Sequence, residues 1–391
     1  MTHITRKLVL LLGLSQLVCW GISYYMIAIF GNVMAADLGV SLAVAYGGFT
    51  VALLVMGATS SVIGRGIDRW GGRPVMVIGS LLLAAGCLGL AASQEVVGYY
   101  AAWVVLGLAM RMTLYDAAFA ALARLGGPQA RKPIAQITLL GGLASTTLWP
   151  VGQALIEAFG WRGALCAYAA FALLTITLHA AIPAERYERP PSPEPAPKDE
   201  GGGTPRGQAA LPVLYALIVA ATGALNSGMS AHMIGILAGL GVVQAAAVWV
   251  AGLRGVGQSA ARLCEVLFGG RLHPTALALL AAGLLAPSLL IGLASGEMLV
   301  AGLLFALLFG AGNGLLTIVR GTLPLVLFDP RSYGSTDGRL VTPSFYASAL
   351  APLAYAFIIE RFGAPAALWL SAGLAVVALG AAVVLRRVCP R

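Results

Sequence analysis

The sequence predicts an all-α membrane protein with twelve transmembrane helices in two pseudo-symmetric six-helix bundles. Three observations predict it. The chain of 391 residues is 59% hydrophobic and only 10% charged, where soluble domains carry about 25% charged residues. Its apolar residues gather into twelve segments near the roughly 20-residue length that a bilayer core demands. Lys and Arg collect in alternate connections between those segments. The mean hydropathy of +0.88 agrees, and scattered aromatics at 8% do not form the girdles of a membrane β-barrel.

The segments run over 8–30, 42–63, 74–92, 97–123, 133–156, 163–182, 212–238, 243–268, 274–294, 298–327, 341–359 and 364–385, and are called spans 1 to 12. The long fourth, seventh and tenth spans suggest tilt or local breaks. Span 1 opens like a secretory signal, with Arg6 and Lys7 before an apolar run. That run is longer than the roughly 7–15 residues of a cleaved apolar region, so it reads as a retained helix.

Nineteen of the 24 Lys and Arg residues belong to the side of the connections that include both termini, counting Arg262 at that end of span 8, and two, Arg162 and Arg361, fall in the opposite set. Arg111, Arg254 and Arg320 lie inside spans. Both termini are therefore expected in the cytoplasm of a multi-pass inner-membrane protein. The net charge of +9 follows from this topology and implies no nucleic-acid partner. The segment 183–211 holds seven prolines, five acids and Gly201-Gly202-Gly203, a composition that cannot bury a core. It reads as a cytoplasmic linker between an N-terminal bundle, 1–182, and a C-terminal bundle, 212–391. The five cysteines lie singly, so no disulfide framework or metal site is expected. No phosphate-cradling motif occurs, and no cofactor is implied. An ion or solute gradient must drive any transport.

The halves echo each other. Phe159-Gly160 after span 5 matches Phe362-Gly363 after span 11, and Gly107 in span 4 matches Gly310 in span 10. Gly71-Gly72-Arg73 matches Gly269-Gly270-Arg271. Two six-helix repeats about a midplane site is a known plan for secondary transporters.

Between spans 2 and 3 lies Gly64-Arg65-Gly66-Ile67-Asp68-Arg69-Trp70-Gly71-Gly72-Arg73. The spacing G-x-x-x-D-R-x-G-x-R resembles the signature loop of the major facilitator superfamily, and Phe159-Gly160-Trp161-Arg162 is another phrase typical of it. With twelve spans and a central linker, the resemblance covers essentially the whole chain. It implies that Gly64, Asp68, Arg69, Gly71 and Arg73 gate the cytoplasmic side by holding the halves together, and that spans 1, 4, 7 and 10 line a central cavity. Two features depart from the family. The arginine often found four residues before the span 4 glycine is Trp103 here, and a Gly-Pro pair common in span 5 of proton-driven exporters is Trp149-Pro150.

Ionisable residues at membrane depth usually face an interior or a wet cavity. In span 8, Arg254, Gln258, Arg262 and Glu265 share one helical face. Arg254 is expected to clamp an anion, and Arg262 can pair with Glu265. In span 4, Arg111 and Tyr115 share a face. Asp116 is rotated about 140° from Arg111, so it either carries a coupling proton or neutralises Arg320 or Arg111. Span 10 adds Asn313, Thr317 and Arg320; span 7 adds Thr222, Asn226 and Ser230; span 1 adds Trp20, Tyr24 and Tyr25. The expected substrate-binding residues are Arg111, Tyr115, Arg254, Gln258, Asn226, Asn313, Arg320, Trp20 and Tyr24. Asp116, Glu265 and His232 are the candidates for proton coupling, with packing the competing role for His232.

Buried arginines outnumber buried carboxylates in the spans. That favours an anionic substrate, a small carboxylate held bidentately, with a proton or other co-ion, in a protein that functions as a monomer in the bilayer. An exporter of drug-like compounds is the alternative, suited by the span 1 aromatics. A non-transporting receptor on the same fold is a third reading. No paired carboxylates or nucleophile motif point to an enzyme.

Overall fold

The structure, a computed structural model, describes residues 4–188, 206–268 and 272–389. Nine segments among these are long and apolar enough to cross a membrane. One of them, Val96–Ala180, has 85 residues, the length of three crossings, and turns at Gly127 (φ 51°) and Gly160 (φ 68°). A further helix, Gln244–Phe268, carries the polar stripe of span 8. The twelve expected spans are thus present. Most of the segment expected as the linker, 189–205, lies outside the described residues. Span 7 begins as a helix at Arg206, before the expected 212, and runs unbroken to Gly239.

The other long spans are interrupted. Span 1 is Arg6–Cys19, a wide π-helical turn Trp20–Tyr24, then Ile27–Asp37. Such a turn inserts an extra residue and re-aims the side chains beside it. Span 4 is Val96–Thr113 and Tyr115–Gly126, parted where Leu114 is extended (ψ −171°). Span 10 is Leu299–Thr322, followed by the short helix Pro324–Leu327.

Two expectations are corrected here. The loop 64–73 is mostly helix: span 2 runs Leu42–Trp70 and span 3 begins at Gly72. One residue, Gly71 at φ 91°, makes the whole turn, because glycine alone enters that region without strain. Between spans 10 and 11, where a plain loop was expected, an extra helix Tyr333–Leu340 forms before Thr342–Phe362.

The repeat is visible in the packing. Gly160 and Gly363 share one left-handed conformation, φ 68° and ψ 169° against φ 81° and ψ 173°. A Cβ on Gly107 would fall 2.5 Å from the Ala52 carbonyl oxygen, and one on Gly310 would meet the Arg254 carbonyl oxygen. Span 4 therefore lies backbone to backbone on span 2, as span 10 does on span 8. The third match, Gly269-Gly270-Arg271, lies outside the described residues.

One end of the molecule, called here the basic face, gathers Ile4, Arg73, Arg124, Ile182 and Tyr187 of the N-terminal half. Leu272, Arg331 and Gly334 of the other half join them. The hydrogen bonds and ion pairs that join the halves among the described residues all lie toward this face. Toward the opposite face the bonds stay within a half, such as Arg162–Asp37 at 2.6 Å and Arg162 to the Ser93 carbonyl at 2.9 Å. The halves are closed at the basic face and part toward the other.

Candidate functional site

The closure at the basic face begins with Asp68. Its Oδ1 and Oδ2 accept the backbone N–H groups of Gly334 and Ser335 at 2.9 and 2.7 Å. These groups open the extra helix Tyr333–Leu340, whose unpaired donors and dipole favour a carboxylate. Such a cap is worth about 0.5–2 kcal/mol. Gly64 makes the approach possible, since any Cβ there would collide with the Gly334 carbonyl. Among the described residues, Arg69, Gly71 and Arg73 make no hydrogen bond to the other half. Arg73 donates through Nε to the Ile182 carbonyl at 2.7 Å, within its own half. Arg69 lies over Trp70 at 5.7 Å, and Gly71 serves the turn. Only Asp68 among these loop side chains hydrogen-bonds across the division, because only a carboxylate complements two N–H donors.

Further bonds seal this face. Glu265 faces Arg131 of the other half at 3.6 Å, and Arg131 also donates to the Leu272 carbonyl. The expected Arg262–Glu265 pair is not formed. Arg262 instead reaches across to the Thr138 carbonyl through Nη1 at 3.0 Å and to Thr317 Oγ1 through Nη2 at 3.0 Å. The crowding of cations is felt at His273, just before span 9. Its imidazole is held below its usual range, first by burial and then by Arg131 and Arg386.

Deeper between the halves, Arg320 Nη2 lies 2.9 Å from Asp116 Oδ1. Asp116 thus has Arg320, not Arg111, as its ionic partner. Arg111 is buried and leaves the expected binding set. Its Nε donates to Ser60 Oγ at 2.8 Å and its Nη2 to the Ser60 carbonyl at 3.2 Å. The cause is the break at Leu114, which separates Arg111 and Asp116 onto two helix segments with independent rotation. Asp337, on the extra helix, accepts from the Tyr215 hydroxyl at 2.6 Å, and the Arg320 carbonyl lies 2.9 Å from the same hydroxyl as the alternative acceptor of its one proton. Asp337 lies within electrostatic reach of Asp116, Arg320 and Arg111. Two carboxylates and two guanidinium groups therefore gather in one cluster between the halves.

Above this cluster, toward the open side, the halves face each other across a cleft. On the C-terminal side, Arg254 Nη2 donates to Asn226 Oδ1 and to Ser230 Oγ, at 2.5 and 2.8 Å. Asn313 Nδ2 donates to the same Asn226 oxygen at 2.6 Å. The guanidinium stands over the Phe309 ring at 5.3 Å, which fixes its plane. Among the described residues no carboxylate pairs with Arg254. Gln258, one turn along the same face, is half-buried and makes no side-chain hydrogen bond among them. On the N-terminal side stand Trp20, Tyr24 and Tyr115, with ring centroids 4.9 Å apart for Trp20–Tyr24 and 4.8 Å for Trp20–Tyr115. The π-helical turn of span 1 brings Trp20 and Tyr24 into this wall. Tyr24 and Tyr25 lie within electrostatic reach of Arg254 across the gap.

The expected residues thus separate into groups. Arg254, Gln258, Asn226, Asn313, Trp20, Tyr24 and Tyr115 lie about the cleft. Arg320, Asp116 and Glu265 belong to the closure. Arg111 packs against span 2. His232 is removed from both: its Nε2 lies 2.9 Å from the Pro352 carbonyl and its ring stacks on Tyr355. Sequence reasoning missed Asp337, Tyr215 and Tyr333, and missed Phe49 and Phe309 in the aromatic lining. The one signal for Asp337 was a carboxylate among glycines in a connection, at Gly334-Ser335-Thr336-Asp337-Gly338. Those glycines permit the tight contact with span 2, where a Cβ on Gly338 would fall 2.6 Å from the Ser60 carbonyl.

A family model described as Major Facilitator Superfamily matches residues 12–335. Over 118 residues the chain is 31% identical to monocarboxylate transporter 3 of Gallus gallus, covering 29% of this chain and 21% of that protein. The chain thus matches about a fifth of that relative's length. Among solved structures, the proton:xylose symporter XylE superposes with a TM-score of 0.75 at 13% identity, over 98% of this chain and 95% of that one. The human organic anion transporter MFSD10 (TETRAN) does so with a TM-score of 0.71 at 18% identity, over 96% and 99%. At these identities the two structures speak for the fold.

Proposed function

The chain belongs to the major facilitator superfamily, a family of transporters and not of enzymes, and from that premise we propose that it carries a small organic carboxylate across the cytoplasmic membrane by alternating access. The observation that carries this reading is Arg254. It stands in the cleft between the halves, oriented by Asn226, Ser230 and Phe309, with no carboxylate of the described chain to neutralise it. A desolvated guanidinium with uncommitted donors binds carboxylate strongly. The partial likeness to a monocarboxylate transporter supports the same substrate class.

Proton coupling is assigned to Asp116. Protonating it removes the charge that holds Arg320 at 2.9 Å, and the halves then part at the basic face. Positive-inside topology makes that face cytoplasmic, so both termini are cytoplasmic and the conformation described is open to the outside. The two working units are 1–182 and 212–391, joined by 183–211, and one chain suffices for transport.

Carboxylate uptake into proteoliposomes under an imposed pH gradient tests this. Wild-type protein should transport, and Arg254→Gln should lose most of the flux. Equal flux in both proteins would overturn the assignment. The aromatic wall about Trp20 also favours a second reading, export of drug-like compounds. Binding of lipophilic cations without any response to carboxylates would establish it.

A further inference from the structure

The wall opposite Arg254 bears on which carboxylates the cleft accepts. Trp149 of span 5 meets Tyr25 at 6.3 Å, Tyr25 meets Trp20 at 5.7 Å, and Trp20 meets Tyr24 at 4.9 Å. Tyr24 meets Phe49 of span 2 at 5.0 Å. These rings form one continuous surface, and Tyr115 closes it toward the buried charge cluster. Backbone bonds hold it in place. The Trp149 indole donates to the Tyr25 carbonyl at 3.0 Å, and the Tyr115 hydroxyl donates to the Thr138 carbonyl at 3.1 Å. The Trp20 indole nitrogen is buried and has no partner among the described residues.

The charges about the cleft narrow the substrate further. Arg320 is committed to Asp116. Arg262 uses Nη1 and Nη2 on Thr138 and Thr317, with Nε directed at the Gly314 carbonyl, and it is buried. Arg111 is spent on Ser60. Arg254 commits only Nη2, which leaves Nε–H and the two Nη1 hydrogens to hold one carboxylate. No carboxylate among the described residues stands free at the wall, since Asp116 is paired, so a substrate ammonium group would find no counter-charge there. A short hydroxy-acid would leave the rings unused. A planar apolar body would bury against them and stack offset on Trp20 or Tyr24.

We infer that the cleft selects monocarboxylates with a planar aromatic body, the carboxylate on Arg254 and the ring against the wall formed by Trp20, Tyr24 and Phe49. This rests on the carboxylate reading of Arg254 and adds the part of the substrate that Arg254 does not touch. A dicarboxylate would carry a second charge onto aromatic faces, and a zwitterion would carry an unpaired cation there.

The test is a binding panel on the purified full-length protein by isothermal titration. The probes are benzoate, acetate, succinate, phenylalanine and the neutral isostere benzamide. Benzoate should bind at least about tenfold tighter than acetate, succinate or phenylalanine, which corresponds to the stacking and burial of one ring. Benzoate should also exceed benzamide by a similar factor. Trp20→Ala should weaken benzoate about tenfold while acetate changes less than about threefold. Equal binding of benzoate and acetate, or equal weakening of both in Trp20→Ala, would overturn the inference and leave the carboxylate clamp standing. Equal binding of benzoate and benzamide would overturn the clamp itself, and the inference with it. The comparison among probes on wild-type protein decides the matter even if Trp20→Ala fails to fold.

Discussion

Asp116 of span 4 and Arg320 of span 10 meet at 2.9 Å, so an ion pair ties the two halves together beneath the cleft, as Arg131 and Glu265 do nearer the basic face. The pair sits among Arg111, Tyr215, Tyr333 and Asp337, with Asp116 buried and Arg320 partly so, and an unmatched charge there is costly. Removing one partner of such a buried pair typically costs about 3–5 kcal/mol. Here that cost falls on the conformation closed at the basic face.

Asp116→Asn should therefore open the basic face. Spin labels at Lys132 and Phe268, on the facing ends of spans 5 and 8, should move apart in the variant at neutral pH. An unchanged distance distribution would contradict the role given to this pair.

Gly64→Ala tests the backbone contact. The added methyl meets the Gly334 carbonyl, which is backbone and cannot swing away. The closed state should weaken, with the same pair of labels reporting separation. Carboxylate affinity in the state that remains closed should change less than about threefold, because Arg254 lies in a different layer. Loss of binding without any change in the label distances would show that span 2 shapes the cleft directly.

Arg111→Gln separates structure from binding. Arg111 is 1% exposed and bonded to Ser60, and losing hydrogen bonds from a charged group costs roughly 1.5–3 kcal/mol. The melting temperature in detergent should fall by several degrees, as such a loss implies. The affinity for carboxylate should stay within about threefold. A large loss of affinity at unchanged stability would return Arg111 to the binding set.

His232→Gln should leave the pH dependence of transport as it is in the wild type. His232 lies against Pro352 and Tyr355, remote from the Asp116–Arg320 pair. A shifted pH profile measured by proteoliposome flux would place a titrating group in span 7 after all.

How much of this was legible beforehand depends on the physical range of each signal. The spans and the repeat were legible because bilayer thickness and topology act on composition over twenty residues at a time. The helical face of Arg254, Gln258, Arg262 and Glu265 was legible because span 8 is regular. The relation of Arg111 to Asp116 was not, since it assumed an unbroken helix across Leu114, which is extended. Arg262 and Glu265 had the spacing to pair, yet each found a partner in the other half, at Thr138 and Arg131. Partners between halves leave no trace in local spacing. Asp337 was hidden for a related reason: its helix forms in a short polar connection and matters only through what it packs against.

The assignment of Arg254 as the anion clamp is most directly tested by the dissociation constant for benzoate in wild-type protein and in Arg254→Gln, measured by isothermal titration at one pH. Loss of a charge-assisted contact of roughly 1.5–3 kcal/mol corresponds to weakening by about ten- to a hundredfold. An unaltered dissociation constant in Arg254→Gln would contradict the assignment, and the carboxylate reading would lose its principal support.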